Sequence, residues 1–156
     1  MVIRTKLPDT ASVANSQGGG RLFSPSAERN STPIINLIKR VAPPTGEALE
    51  IASGTGQHIV QLALSLPNLS WLPSEVEENR LKSITAWIKN ENLLNIKPPL
   101  YLDATETGWS KTVLQSDFIL LVNLLHLISL NETETLIDEL SKALKKTGIA
   151  LVYGPF

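Results

Sequence analysis

Residues 47–58 read EALEIASGTGQH. Glu47 to Ala52 reads as a short strand, Ser53 to Gly56 as a tight loop, and a helix follows with Ile59, Leu62, Ala63 and Leu66 on one face. Gly54 and Gly56 carry no side chain, so another group can approach the backbone closely. A helix beginning near Gln57 leaves its first N–H groups without intrahelical partners, which suits an anionic group.

Working outward, the same strand-then-helix rhythm recurs. Upstream, Thr32 and Pro33 read as the cap and first turn of a helix carrying Ile34, Leu37, Ile38 and Val41, stopped by Pro43 and Pro44. Downstream, Leu69 to Ser74 reads as a second strand, weakened by Pro73. Glu77 to Asn90 follows as a helix with Leu81, Ile84 and Ile88 inward, and Glu77, Glu78 and Arg80 as its solvated face. Pro99 to Asp103 is a third strand, and Thr105 to Leu114 an irregular connection. Asp117 to Val122, almost entirely apolar, has the composition of a strand buried on both faces of a parallel sheet. Asn131 and Glu134 have capping-box spacing for the last helix. Its apolar stripe is Leu136, Ile137, Leu140 and Leu144, with Lys145 and Lys146 in its last turn and Gly148 as its stop. Ile149 to Tyr153 is the fifth strand. Five alternations imply an α/β chain with a parallel sheet of about five strands, helices on both faces and right-handed crossovers.

Length and composition agree with one such domain. The chain has 156 residues, 42% of them hydrophobic, and 14 basic residues against 15 acidic ones. That balance argues against nucleic acid as partner. Cysteine is absent, which excludes thiolate metal sites and cysteine nucleophiles, and two histidines are too few for a His-rich metal centre. The longest apolar run, Phe118 to Leu130, falls short of the ~20 residues of a spanning helix. The first residues have no signal-peptide pattern, so a cytoplasmic protein without membrane association is expected. Residues 1–20, ending in three glycines, read as a flexible tail, or alternatively as a lid that orders over a ligand. The folded domain is expected at 21–156.

In open parallel sheets, ligands bind beyond the carboxyl ends of the strands. Four of those ends are polar here: Glu50 with Ser53-Gly54-Thr55-Gly56, then Glu75, then Asp103, then Asn123 with His126 beyond. A dinucleotide loop would require glycine where Ile59 stands, and a phosphate-binding P-loop would require Gly-Lys-Ser/Thr where Gln57-His58-Ile59 stands. Glu50 also repels a pyrophosphate. A small molecule that suits glycine backbone, a helix N-terminus and several carboxylates is S-adenosylmethionine, with its carboxylate, ammonium, sulfonium and ribose diol. Glu75 lies about twenty residues past the glycine loop, the spacing of a ribose-binding acid. Asp103 is placed to take the adenine amino group.

Glu50 to Gly56 resembles the first motif of class I methyltransferases, E-x-G-x-G-x-G, with Ala52 in place of the first glycine. More narrowly, Ser24-Pro25-Ser26-Ala27-Glu28-Arg29-Asn30, Glu50 to His58, Trp71-Leu72-Pro73-Ser74-Glu75, Asn123-Leu124-Leu125-His126 and Tyr153-Gly154-Pro155-Phe156 resemble the motifs of the methyltransferase-like family that includes methyltransferase-like protein 26. The resemblance spans residues 21 to 156. It implies a three-layer Rossmann-like methyltransferase fold that lacks the usual C-terminal strands. The fifth strand is then an open edge and a route to self-association.

The resemblance implies a methyltransferase of unknown acceptor. Its cofactor-binding residues would be Arg29, Glu50, Ala52, Ser53, Gly54, Gly56, Glu75, Asp103, Ala104 and Asn123. Arg29, with its neighbours, would fold over the cofactor and contact its carboxylate. His126 would be the catalytic base, or else a histidine packed at a helix start. His58 caps or packs. Two other functions fit less of the sequence. One is a catalytically inactive binding or interaction module. The other is an NAD-dependent oxidoreductase, against which Ile59 and the missing Tyr-x-x-x-Lys pair both count.

Overall fold

A computed structural model of the protein describes residues 13–156. Five strands form one parallel sheet: β1 (Gly46–Ile51), β2 (Leu69–Glu75), β3 (Leu100–Tyr101), β4 (Ser116–Val122) and β5 (Leu144–Tyr153). Their spatial order is β3-β2-β1-β4-β5, so the chain winds outward from β1 to one edge and returns to build the other. The order reverses between β1 and β4, and the crevice outside their carboxyl ends is where such sheets bind ligands.

The helices are α1 (Pro25–Val41), α2 (Gln57–Ser65), α3 (Glu78–Glu91) and α4 (Leu130–Ala143). Alternation along β4 explains the three layers. Phe118 and Leu120 face one way and pack with Ile34 and Ile38 of α1, Ile59 and Leu62 of α2, and Ile84 of α3. Ile119 and Leu121 face the other way, against Leu136 and Leu140 of α4 and Trp109. Trp71 meets Phe118 edge-on at 6.2 Å. Both rings, like Trp109, belong to the core.

Several local expectations shift. Helix α1 starts at Pro25, not at Thr32. The Ser24 Oγ accepts the Ala27 N–H at 3.4 Å, and Ser24 itself is anchored by donating its N–H to Gln57 Oε1 at 2.5 Å. Pro33 therefore lies inside the helix. The N–H it lacks would have served the carbonyl of Arg29, an exposed residue where water can substitute. Pro73 is tolerated within β2 for a related reason. Trp71, two residues earlier, bonds Asn95 and Lys97 on the β3 side, so the Pro73 nitrogen faces that side too, where Pro98 and Pro99 precede β3. Those two prolines also limit β3 to two residues, fewer than its sequence suggested. The α4 capping box is Ser129 with Glu132, two residues before the expected pair: Ser129 Oγ accepts the Glu132 N–H, and Glu132 Oε2 accepts the Ser129 N–H.

Strand β5 begins at once after α4. Lys145 and Lys146 are thus strand residues, and Lys145 bonds Asp117 at 2.8 Å instead of facing a helix dipole. Gly148 sits where β4 and β5 shift register. A Cβ there would fall 3.0 Å from the Ser116 carbonyl, so crowding at the bulge, not a helix stop, calls for glycine. Among the described residues β5 pairs with β4 alone.

The expected tail also changes at its end. Asn15–Ser16 pairs with Leu22–Phe23 in a small antiparallel hairpin; residues 1–12 lie outside the described residues. The hairpin is docked, not loose. Arg21 stacks over the Trp87 ring at 4.9 Å, and Trp87 Nε1 donates to the Leu22 carbonyl. Buried Ser83 accepts the Leu22 N–H and donates to the Thr55 carbonyl at 2.7 Å, joining hairpin, α3 and glycine loop through one hydroxyl. No helix among the described residues is long and apolar enough to cross a membrane.

Candidate functional site

The loop after β1 carries the site. Ala52 has φ +54° and Gly54 φ +62°, both left-handed. Ala52 occupies the position where the resembling motif has glycine, and the backbone keeps the glycine conformation there despite the Cβ. Replacing it should relieve that strain. We expect Ala52→Gly to raise stability by about 1 kcal/mol, read as a higher urea midpoint at unchanged slope; an unchanged or lower midpoint counts against the strain. Ser53 fixes the loop to β2: its N–H donates to the Ser74 carbonyl at 2.8 Å, and its Oγ accepts the Ser74 N–H at 3.2 Å.

Beneath this loop lies a cleft lined by Glu50, Ala52, Ser53, Gly54, Glu75, Asn123 and His126, among others. It opens at the reversal point between β1 and β4. A second hollow adjoins it, sharing Ala52, Glu75, Leu124 and Leu127 and adding Asp103 and Ala104. Glu75 thus stands at the junction of the two. Glu50 and Glu75, far apart in sequence, share one cleft, and Asp103 lines the hollow that adjoins it.

Their chemical states differ. Glu50 is 2% exposed, and its Oε2 has no hydrogen-bond partner. Burial pushes its pKa up to about 8; the Ser53 hydroxyl opposes this and the neighbouring Glu75 charge adds to it. Glu75 is equally buried but better served: Oε2 accepts the Gly54 N–H at 2.9 Å and Oε1 accepts the Val76 N–H at 2.8 Å. Its pKa is also raised by burial, with the Val76 N–H, the Arg80 charge and the Gly54 N–H pulling it back. Asp103 turns part of its carboxylate inward, Oδ1 accepting both the N–H and the hydroxyl of Thr105.

Gly56 is left-handed too, but its demand comes from packing. A Cβ there would sit 2.9 Å from Ile84 Cα and 3.3 Å from Trp87, so glycine lets α3 press against the loop. It is not among the residues that line the cleft, and its close neighbours are on α3. Arg29 is exposed and outside the crevice; the first turn of α1 presents Ser26 and Ala27 there instead. This follows from the earlier helix start, which fixes which residues face inward.

Arg80 moves the opposite way. Read as solvated, its side chain is only 11% exposed. It lies 3.5 Å from the point where a Gly54 Cβ would sit, pairs with Glu77 at 3.4 Å and lines the cleft. Amphipathic spacing could not reveal this, because the glycine loop covers the first turn of α3. Buried His58 packs as expected, its Nε2 meeting the Ala27 carbonyl at 3.1 Å and Asn30 Oδ1 at 2.9 Å. Burial lowers its pKa, which keeps it neutral. Asn123, left-handed at φ +55°, ends β4 by donating its N–H to the Tyr153 carbonyl. His126 stands exposed at the cleft mouth. No group of three or more His, Cys, Asp or Glu that could hold a metal occurs among the described residues.

A family model described as "Protein of unknown function (DUF938)" matches residues 21–156. The chain belongs to that family. The DUF938 chain superposes on methyltransferases of known structure. One is coclaurine N-methyltransferase, solved with N-methylheliamine and SAH (TM-score 0.66, 17% identity, 91% of this chain and 39% of that one). A second is PKMT2 from Rickettsia typhi in complex with AdoHcy (TM-score 0.63, 20% identity, 77% and 24%). A third is an O-methyltransferase family protein from Burkholderia thailandensis (TM-score 0.68, 15% identity, 81% and 38%). At these identities the likeness establishes the Rossmann-like methyltransferase fold of the DUF938 chain, which spans well under half the length of these three structures.

Proposed function

We propose that the crevice binds S-adenosylmethionine and that the protein is a methyltransferase. The observation that carries this reading is the meeting of Glu50 and Glu75 in one cleft lined by the glycine loop, with Asp103 in the hollow that adjoins it at Glu75. The residues present fit the cofactor group by group. Glu50 offers an unpartnered, buried carboxyl oxygen to the ammonium. Glu75 spends one acceptor site of each oxygen on backbone N–H groups and keeps further lone pairs for the ribose hydroxyls. Asp103 and Ala104 line the adjoining hollow, which this reading assigns to the adenine. The first N–H groups of α2 and the guanidinium of Arg80 receive the carboxylate, the task the sequence suggested for Arg29.

The bound cofactor supplies an electrophilic methyl group on sulfur. This chain's part is to orient it and to exclude water from the floor of the cleft. His126, at the mouth, would take the proton of an acceptor nucleophile, and the cleft would contribute chiefly by positioning that acceptor.

Calorimetric titration with S-adenosylhomocysteine tests the reading. Saturable binding is expected, and Glu75→Gln should weaken it by about ten- to a hundredfold, the usual cost of losing a charge-assisted pair. Folded protein that takes up no S-adenosylhomocysteine would overturn the assignment.

A further inference from the structure

Two carboxyl groups from adjacent strands, Glu50 on β1 and Glu75 on β2, line one cleft, each 2% exposed. They are not equivalent. Glu75 has both oxygens held by backbone N–H groups and Arg80 nearby, so the fold itself provides for its charge. Glu50 is served far less well: the Ser53 hydroxyl lies beside its carboxyl, but its Oε2 meets no donor. The remaining ionisable groups that line the cleft do not supply one. His58 of α2 is neutral and turned to Ala27 and Asn30, Arg80 of α3 is paired with Glu77, and His126 beyond β4 is exposed at the mouth. A buried carboxylate with one oxygen unpartnered and no countercharge is costly, so the carboxyl holds its proton until a cation arrives.

Resting on the adenosyl reading above, we propose that Glu50 is a proton-coupled reader of the ligand's amino group: it gives up its proton to solvent as the ligand's ammonium docks against it. The empty cleft therefore carries a neutral acid, and the filled one an ion pair. The proton balance is simple, with one proton leaving the carboxyl and the ammonium keeping all of its own. Affinity for an amino-bearing ligand then rises with pH and levels off once the free carboxyl is ionised, which burial places at about pH 8. A ligand with the same nucleoside and no amino group gains nothing from the change.

The test is calorimetry of the full chain with S-adenosylhomocysteine, in buffers of different ionisation enthalpy, at pH 6, 7, 8 and 9. Close to one proton should be released per ligand at pH 7. The dissociation constant should fall roughly tenfold from pH 6 to pH 7 and flatten above pH 8. The thioether 5′-methylthioadenosine, which lacks the amino-acid portion, should bind with no proton release and no such slope. In Glu50→Gln, S-adenosylhomocysteine should also bind without releasing a proton. Binding of S-adenosylhomocysteine without proton release overturns the coupling and leaves the adenosyl reading standing. Equal proton release with the thioether, or unaltered release in Glu50→Gln, assigns the proton elsewhere and overturns it too. Absence of S-adenosylhomocysteine binding at every pH removes the adenosyl reading, and the coupling with it.

Discussion

Glu50→Gln should be more stable than the wild type at neutral and alkaline pH, by on the order of 3 kcal/mol at pH 7 and somewhat more at pH 9. The folded-state pKa of Glu50 is about 8 against 4.5 for the free side chain, because burial disfavours its charge. A group raised on folding favours the fold below its unfolded pKa. That advantage is then lost progressively as pH climbs to the folded value. The wild type should therefore weaken between pH 4.5 and 8 by more than the glutamine variant, whose residue 50 has nothing to ionise and which keeps only the smaller contribution of the better-served Glu75. The difference should vanish toward pH 4. For a chain of this size it amounts to roughly 10 °C in melting temperature at pH 8, measurable by calorimetric or fluorescence melts across the range. A gap that does not change with pH would show that the glutamate is not the strained acid its surroundings imply. The same variant should lose the pH-dependent part of ligand binding, the usual exchange of stability for a charge kept ready in a site.

How much of this was legible beforehand depends on the range of the forces involved. The first strand, the glycine loop and the two-sided burial of β4 follow from patterns that a short window contains, and all three are present, the strand one residue earlier (46–51) than its expected 47–52. So is the crevice, because strand ends gather wherever a parallel sheet forms. What the sequence hid was decided by partners distant along the chain. The start of α1 is set by Gln57, more than thirty residues on, so Thr32-Pro33 looked the better beginning. With that start displaced, Arg29 was assigned a place that Ser26 and Ala27 occupy. Arg80 looked solvated because its own helix gives no sign of the loop lying over it. The place of Glu50 at a strand end follows from the sequence, but the missing donor at its Oε2 is a property of the assembled cleft alone.

The two glycines of the loop look interchangeable in sequence and should fail in opposite ways. Gly56→Ala should cost about 3 kcal/mol or more, summing a left-handed residue at φ +96° and an overpacked contact. The new Cβ would lie 2.9 Å from a backbone atom, Ile84 Cα, which a side-chain rotation cannot clear. Relief requires α3 to retreat, and that withdraws Ser83 from Thr55 and loosens the docked hairpin. Gly54→Ala meets only the tip of Arg80 at 3.5 Å, and φ +62° lies where alanine is strained but tolerated, as Ala52 already shows two residues earlier. Its stability loss should stay near 1 kcal/mol. Gly54 lines the cleft, however, so on the proposed reading a methyl group there crowds the ligand, and binding of S-adenosylhomocysteine should suffer far more than folding. Urea denaturation of both variants, paired with titration at a temperature where each is folded, separates the two effects. Equal stability losses would mean that α3 does not bear on Gly56 as the packing indicates. Unimpaired binding in Gly54→Ala would place the ligand away from this loop.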